Sequence, residues 1–361
     1  MRLTALEVWD WRNLRATQLD TGARFVVLHG DNGQGKTNLL EAAGMLATLR
    51  SFREARAARL IRQGAPLARI VGQVQGSSGL RRLEWRRGAK ERALLLDGEP
   101  QSTLTGWFGV IRAILFHPEL AELVRGEPAG RRELIDRAAF TAEPGHLELV
   151  RAYHRIVQHK SALLRRAVAH AAVDHALLDT LDEQLCHTGA RLIRRRERVI
   201  AGLGELVDEA HGAIAGVPGK VGIRRVGPAA SDLTAAVEAA RGDELRRGIV
   251  LVGPHRDDIE LTLAGQPARA FASQGQARTL VLALKLAEVL AAARRGGDPP
   301  LFLLDDLTSE LDRRRMERLV ALLATLPHQV WITTTDPAWL GPLPAADTAR
   351  LRVVEGTAAP G

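Results

Sequence analysis

A single cysteine, Cys186, stands in 361 residues. No disulfide can form within the chain, and a lone thiol in a Leu-rich stretch reads as a small buried hydrophobe. No cysteine–histidine grouping has zinc spacing, and the eleven histidines are scattered. No apolar run approaches the ~20 residues that a bilayer crossing needs. The opening Met1-Arg2-Leu3-Thr4-Ala5-Leu6-Glu7-Val8 alternates like a strand and lacks the apolar block of a signal peptide. A cytoplasmic protein with no membrane partner is expected. Aromatic residues make up only 4%, which argues against stacking on single-stranded bases. Lysine is scarce too: Lys36, Lys90, Lys160, Lys220 and Lys285 are five of 50 basic residues, and the rest are arginine, which grips phosphate with two N–H groups at once. Against 42 acidic residues the balance is +8, compatible with a polyanionic partner and equally with a solubility setting.

What is present is enough apolar residue, 46%, for a sizeable core in two or three lobes. Residues 1–9 and Phe25–His29 read as strands, followed by a helix from Thr37 to about Leu49. Alternating runs at 69–75, 80–86 and 92–97 predict an antiparallel meander, and Ile111–Phe116 predicts another strand. From about 120 to 240 the apolar spacing turns helical, as in Leu149, Tyr153, Ile156 and Leu163, and predicts an arm of long amphipathic helices. Strands are expected again at Ile249–Val252, Ile259–Leu263, Leu301–Leu304 and Val330–Thr333, with helices from about Gln276 to Ala293 and Arg313 to Ala324. The tail Gly356–Gly361 reads as frayed. The expected division is 1–119, 120–240 and 241–361, with the outer two segments forming one α/β head and the middle one an inserted helical arm.

Gly30-Asp31-Asn32-Gly33-Gln34-Gly35-Lys36-Thr37 matches G-x-x-x-x-G-K-[ST] between a buried strand and a helix. Glycines let successive backbone N–H groups curl around phosphate oxygens, and the helix start aims its positive end at the same anion. Lys36 supplies a point charge for the β- and γ-phosphates of ATP, and Thr37 a hydroxyl for Mg²⁺. A P-loop needs a second strand ending in a carboxylate. Leu301-Phe302-Leu303-Leu304-Asp305-Asp306 has that form, with Asp305 expected to support Mg²⁺ and Asp306 to orient or deprotonate the attacking water.

Ser273-Gln274-Gly275-Gln276, directly before a helix, resembles the signature sequence of ATP-binding-cassette ATPases, although Ser273 could equally be an ordinary helix cap. Ser309-Glu310-Leu311-Asp312 resembles the cassette D-loop, with Ser309 and Asp312 as its candidate site residues. With the P-loop and its Asn32 and Asn38, the block Gly253-Pro254-His255-Arg256-Asp257-Asp258 and the string Phe271–Arg278, the chain resembles, end to end, the RecF family within the SMC-type branch of these ATPases. The resemblance implies an ABC/SMC-type P-loop head with an inserted helical arm. It also implies head-to-tail homodimers in which Ser273, Gln274, Gly275 and Gln276 reach ATP on the other subunit. Such proteins bind double-stranded DNA near single-strand gaps and, with RecO and RecR, promote loading of RecA. The chain departs from the wider cassette pattern at three places. Asp306 replaces the usual Glu. Thr333-Thr334-Thr335-Asp336 stands where a switch histidine is expected, and His328 lies at the wrong end of its strand. Phe116 runs into His117-Pro118-Glu119 with no clear Q-loop glutamine. Weak hydrolysis follows.

For duplex contact, Arg50, Arg53, Arg56, Arg59 and Arg62 recur every third residue and would wrap around a helix rather than line one face. Arg194-Arg195-Arg196, Arg198 and Arg313-Arg314-Arg315 are weaker candidates, and each could be plain solvated surface. His255 and Arg256 read either as sensors of nucleotide or DNA, or as part of a tight turn with an internal Arg–Asp pair. Two other classes remain: a membrane transporter's ATPase cassette, set against by the wide span from Lys36 to Ser273, and a P-loop kinase for a small metabolite, in which the Ser273 block would be idle.

Overall fold

The computed structural model describes residues 1–54, 56–104, 106–170, 173–307 and 311–361. The chain divides into two compact units. Met1–Ala121, Glu209–Pro218 and Gln274–Gly361 form one, Glu122–Asp208 and Gly219–Ser273 the other.

The first unit opens with β1 (Arg2–Trp11), β2 (Leu14–Asp20) and β3 (Phe25–His29), and then α1 (Lys36–Thr48). Next come β4 (Leu67–Gly76), β5 (Gly79–Gly88), β6 (Arg92–Leu96), β7 (Glu99–Pro100) and β8 (Ala113–Phe116). The predicted meander is real but larger: β2-β1-β4-β5-β6-β7 is an antiparallel sheet, with β1 inserted beside β4. Its apolar face packs on α1, whose residues from Leu39 to Ala47 are all buried. At ~1.5–3 kcal/mol per fully buried large aliphatic side chain, Leu39, Leu40, Met45 and Leu46 anchor that helix.

The second unit contains α2 (Glu122–Arg125), α3 (Pro128–Ala142), α4 (His146–His170) and most of α5 (His175–Ala215). A three-stranded sheet follows from β9 (Val221–Val226), β10 (Asp258–Leu263) and β11 (Gln266–Pro267), with α6 (Leu233–Arg247) and α7 (Ala268–Phe271). Residues 241–273, expected with the head, group here instead, because β10 pairs with β9 over Asp258–Leu263. The expected strand at Ile249–Val252 does not form. Val250 is buried among the α4 and α5 side chains, and Leu251 N–H donates to Glu244 at 2.7 Å. A four-residue apolar run plugs a helical core as readily as it makes a strand.

The first unit resumes with α8 (Gln274–Arg295), β12 (Leu301–Leu304), α9 (Arg313–Thr325), β13 (Val330–Thr334), β14 (Thr348–Val354) and β15 (Thr357–Pro360). The second large sheet runs β15-β14-β3-β13-β12-β8, parallel except at β15. β12 and β13 are buried at every residue, which explains their unbroken apolar runs. The tail is not frayed: β15 pairs with Leu351–Val354, and Gly356 N–H donates to Gln34 C=O at 3.0 Å.

Candidate functional site

β3 delivers the chain into the loop Gly30–Gly35, and α1 leaves it. Gly30 has φ 144°, and a Cβ there would lie 2.4 Å from the Val353 carbonyl oxygen. Gly35 has φ 114°, and its Cβ would meet Leu14 at 2.9 Å. The loop therefore passes close to β14 and β2 in a conformation open only to glycine at these points. Lys36 curls back, its Nζ donating to the carbonyls of Gly30 at 2.6 Å and Asp31 at 2.7 Å. Burial lowers the Lys36 pKa, while Asp306, Asp305 and Asp31 push it the other way. Gln34 does not face the cavity with its amide oxygen, which accepts from Glu355 N–H at 2.6 Å and ties the loop to the β14–β15 turn.

Parallel pairing sets the ends of β12 and β13 beside the start of α1. Thr37 Oγ1 donates to Asp305 Oδ1 at 2.9 Å across 268 residues of sequence, and Thr333 Oγ1 reaches the same oxygen at 2.7 Å. Burial raises the Asp305 pKa, against the pull of the two threonine hydroxyls. Asp306 sits in the left-handed region at φ 48°, with its N–H donating to Thr333 Oγ1 at 2.8 Å. Thr333, where the pattern wants a switch histidine, thus bridges the two carboxylate residues. A β-branched core strand gave no sign of this. His328, at the other end of β13, is fully buried, and neither ring nitrogen has a hydrogen-bond partner among the described residues.

Lys36, Thr37, Asn38, Asp306 and Thr333 line one cavity together with Arg53. The expected helical arginine wrap is not seen: among the described residues of 50–62 the helical structure is a short 3-10 turn at Ala57–Leu60. Arg59 pairs with Glu54 at 3.4 Å and Arg62 with Asp10 at 2.7 Å, and Arg56 is exposed. Arg53 turns to the cavity, its NH1 3.3 Å from Asn38 Oδ1. Asn38 Nδ2 donates to Asn13 Oδ1 at 2.7 Å, and Asn13 Nδ2 donates to the Gly33 carbonyl at 3.2 Å. Asn13, in the β1–β2 turn, was missed; only its spacing to the P-loop in three dimensions marks it.

The remaining candidates are scattered. Ser273 directly precedes α8, whose first turn carries Gln274, Gly275 and Gln276. Ser309 lies outside the described residues; Asp312 caps α9, accepting from Arg315 N–H at 2.9 Å. At the strand end of β8, His117 is held 2.6 Å from Glu119 and stacks on Phe52 with ring centres 5.0 Å apart.

In the second unit, the Gly253–Asp258 block is knotted into its own surroundings. Arg131 grips Asp258 with two bonds of 2.8 Å, and Arg225 reaches Asp257 at 3.0 Å. Arg196 holds Asp136 at 2.9 and 2.8 Å and donates to Pro254 C=O at 2.6 Å. Tyr153 and His255 are 2.7 Å apart. The Arg–Asp pairs are not internal to the turn but reach α3 and β9. Arg194 and Arg198 gain no basic stripe from Arg196, which is buried in this network.

The geometry of the first site fits a polyphosphate bound by curled backbone N–H groups and Lys36. Thr37 and the buried carboxylate of Asp305 fit a hard divalent cation. Among the described residues no three acidic, histidine or cysteine side chains are placed to hold a metal ion by themselves, but Mg²⁺ takes one or two protein oxygens and fills its shell with water and phosphate. No helix of the described residues is long and apolar enough to cross a membrane.

Comparison with known proteins places this site in context. A model of the RecF/RecN/SMC N terminal domain matches residues 2–343. The DNA replication and repair protein RecF of Anaeromyxobacter sp. (strain Fw109-5) is 40% identical over 372 residues, covering 100% of this chain and 99% of its own. The protein of the same name from Geobacter sulfurreducens is 38% identical over 374 residues, covering 100% of both. Among solved structures, the recombination mediator protein RecF bound to ATP, from the RecFOR pathway, superimposes with a TM-score of 0.88 at 24% identity, covering 100% of this chain and 97% of that one. The Smc head domain of Pyrococcus furiosus, bound to the C-terminal domain of ScpA, follows with a TM-score of 0.58 at 16% identity, covering 99% and 95%. These last two likenesses concern the fold.

Proposed function

Because this chain belongs to the RecF family of DNA replication and repair proteins, we propose that it is an ATP-dependent, dimerising DNA-binding ATPase of recombinational repair. It binds duplex DNA beside single-strand gaps in the cytoplasm and, with RecO and RecR, promotes RecA loading. The observation that carries its ATP dependence is the hydrogen bond from Thr37, at the P-loop, to Asp305, at the end of β12. It sets a hydroxyl and a carboxylate together beside a cavity lined by Lys36 and Asp306, as a magnesium nucleotide requires.

In this reading Gly30, Asp31, Asn32, Gly33 and Gly35 supply the phosphate cradle, with Lys36 as its cation. Gln34 acts as a brace, and Asn38 with Asn13 steadies the loop. Mg²⁺, when bound, would polarise the phosphates, and Thr37 and Asp305 would hold it. Asp306 positions water for attack. It is one methylene shorter than glutamate, and Thr333 offers no imidazole, so turnover is slow. Ser273, Gln274, Gly275 and Gln276 close on the nucleotide of the partner subunit, and Asp312 belongs to the same closing edge. Arg53, in the cavity lining, serves the nucleotide rather than DNA, and duplex contact falls to other arginines.

Mixing mutants tests this. Ser273→Arg and Lys36→Ala subunits are each inactive alone, and their mixture regains part of the ATPase activity because one composite site is intact. Light scattering with a slowly hydrolysed ATP analogue reports the dimer. Duplex binding requires that analogue and weakens steeply with salt. Normal dimerisation and turnover by Ser273→Arg would reduce Ser273 to a helix cap and remove the composite site.

A further inference from the structure

The phosphate loop is held from outside by two turns that do not belong to it. β14 and β15 are joined by the two residues Glu355 and Gly356, since Val354 pairs with Thr357. Both stand in the left-handed region, at φ 46° and 77°. Positive φ at both central residues is the tight hairpin turn that Asn-Gly favours, and glutamate is a poor residue for its first position. The turn spends its N–H groups on the loop. Glu355 N–H donates to the Gln34 amide oxygen at 2.6 Å, and Gly356 N–H donates to Gln34 C=O at 3.0 Å. Behind the turn stands β2, whose buried Thr17 donates its hydroxyl to Gly356 C=O at 3.0 Å. From the β1–β2 turn, Asn13 Nδ2 donates to Gly33 C=O at 3.2 Å, and a Cβ on Gly356 would lie 2.6 Å from the Asn13 carbonyl oxygen.

At Gln34 these bonds meet a segment with little packing around it. Gln34 stands between Gly33 and Gly35, both at positive φ, 80° and 114°. Beside Gly33 nothing lies within 4 Å of where a Cβ would be. Glycine backbone has the most freedom to lose on ordering. A loop built of it binds an anion tightly only when its N–H groups have been arranged beforehand. Gln34 is tied to the β14–β15 turn through side chain and main chain together, which fixes the peptide between the two glycines. The Glu355 side chain is exposed, so what residue 355 gives to the loop it gives through its backbone.

We infer that the β14–β15 turn, backed by Thr17, is a positioning element of the phosphate loop: it presets the Gln34 peptide, and residue 355 thereby sets nucleotide affinity without touching the nucleotide. The inference rests on the phosphate-site reading proposed above. Apparent affinity scales with the fraction of protein whose loop already has the binding arrangement. Whatever lowers the cost of positive φ at residue 355 raises that fraction, and whatever opens the turn lowers it. The coupling is reciprocal, so bound nucleotide also holds the turn closed.

The test is calorimetric titration of the full chain with Mg²⁺ and either ADP or a slowly hydrolysed ATP analogue. Glu355→Asn, which suits the turn, tightens both nucleotides about threefold, and the β-branched Glu355→Val weakens both about fivefold. Glu355→Gln removes the same charge without suiting the turn and binds more weakly than Glu355→Asn, which separates backbone from charge. Thr17→Val weakens both nucleotides about fivefold, the worth of one hydrogen bond, and Thr17→Ser restores them. In the double variant Gln34→Ala/Thr17→Val the two losses do not add, because Thr17 acts through Gln34. Hydrogen exchange at the Glu355 and Gly356 amides slows when nucleotide binds the unmodified protein, which a turn that merely completes the fold would not show. A gain of affinity cannot come from misfolding, so Glu355→Asn decides the matter even where other variants fold poorly. Equal affinity across the Glu355 series, losses that add in the double variant, or amide exchange indifferent to nucleotide overturns the inference while leaving the phosphate site standing. Unmodified protein that binds neither nucleotide, or binds them as well after Lys36→Ala, overturns the phosphate site and this inference with it.

Discussion

Two regions of the molecule gather charged side chains around a glycine-led turn, and they do opposite things with them. In the second unit, the Gly253–Asp258 block spends its polar groups internally: Asp257, Asp258, Pro254 C=O and His255 each meet a named partner from α3, α4, α5 or β9. In the first unit, among the described residues, Lys36 hydrogen-bonds to two backbone carbonyls with Asp306, Asp305 and Asp31 nearby, and Arg53 to one amide oxygen with Asp305 and Glu119 nearby, beside a cavity. Residue type does not distinguish the two. What distinguishes them is whether the charges are consumed by strong partners or are held by weak ones that a ligand can displace. A buried network of mutually paired charges specifies a fold; displaceable cations around a cavity specify a binding site.

The contrast can be broken from either side. The largest effect is expected from Arg196→Met, which leaves Asp136 with His146 alone and strands the Pro254 carbonyl in a buried setting. Unfolding by denaturant should show a loss of about 3–5 kcal/mol, with the nucleotide affinity of the remaining folded protein unchanged. A fall in affinity of similar size would mean that the network serves the nucleotide site after all. Lys36→Ala is the mirror experiment: roughly 100-fold weaker nucleotide binding by titration, from loss of a charge-assisted phosphate contact, with an unaltered melting temperature.

Acid sharpens the comparison further. Burial, with Arg256, His154 and Arg132 adding to it, pushes His255 down to about 4, although its contact with Val250 C=O pulls the other way. Burial similarly pushes His328 to about 4. Both values lie below the ordinary histidine value, so below about pH 6.5 the unfolded chain takes up protons that the folded protein refuses. Stability is therefore full above that pH and falls as pH drops toward 4, by up to roughly 3 kcal/mol per ring. Asp136, for which burial is outweighed by its bonds to His146 and Arg196, lies at about 2, and its contribution is lost only as pH falls from about 4 toward 2. Melting curves from pH 7 to 4 should show the first decline, and His255→Asn should flatten part of it. A flat profile in the unmodified protein would contradict the assignment of these rings as neutral core groups.

Two smaller effects complete the series. Asp306→Asn should leave nucleotide binding intact and slow an already slow turnover about tenfold, measured as phosphate release; normal release would move the water-positioning role to another residue. Arg59→Ala, which removes only an exposed partner of Glu54, should alter duplex-DNA affinity at fixed salt by no more than about twofold. A larger drop would revive the 50–62 segment as a DNA contact.

Much of the head was legible because its signals are local. β3 and β12 occupy the residues their apolar runs predicted, since a strand buried on both faces needs no partner to announce itself. The helix after the P-loop begins one residue before the expected Thr37. The failures have a common cause. Ile249–Val252 has the composition of a strand but packs as a plug, and the arginines from Arg50 to Arg62 have a period but, among the described residues, only a short 3-10 turn to carry it. β14 was missed because its parallel partner, β3, lies at the other end of the chain, and β15, read as a frayed tail, is held only by folding back on β14 across the Glu355-Gly356 turn.

By itself the sequence determined the phosphate loop, the lysine and threonine that follow it, and the carboxylate pair after an apolar strand. These depend on glycine's backbone freedom and on strand burial, which act within a few residues. Only the tertiary structure decided that Thr37 meets Asp305, that Thr333 bridges the two aspartates, and that Asn13 reaches Arg53 through Asn38. Those contacts depend on the register of parallel strands and on the packing of α1 against a second sheet. A shift of one residue in either would turn the same side chains to the other face.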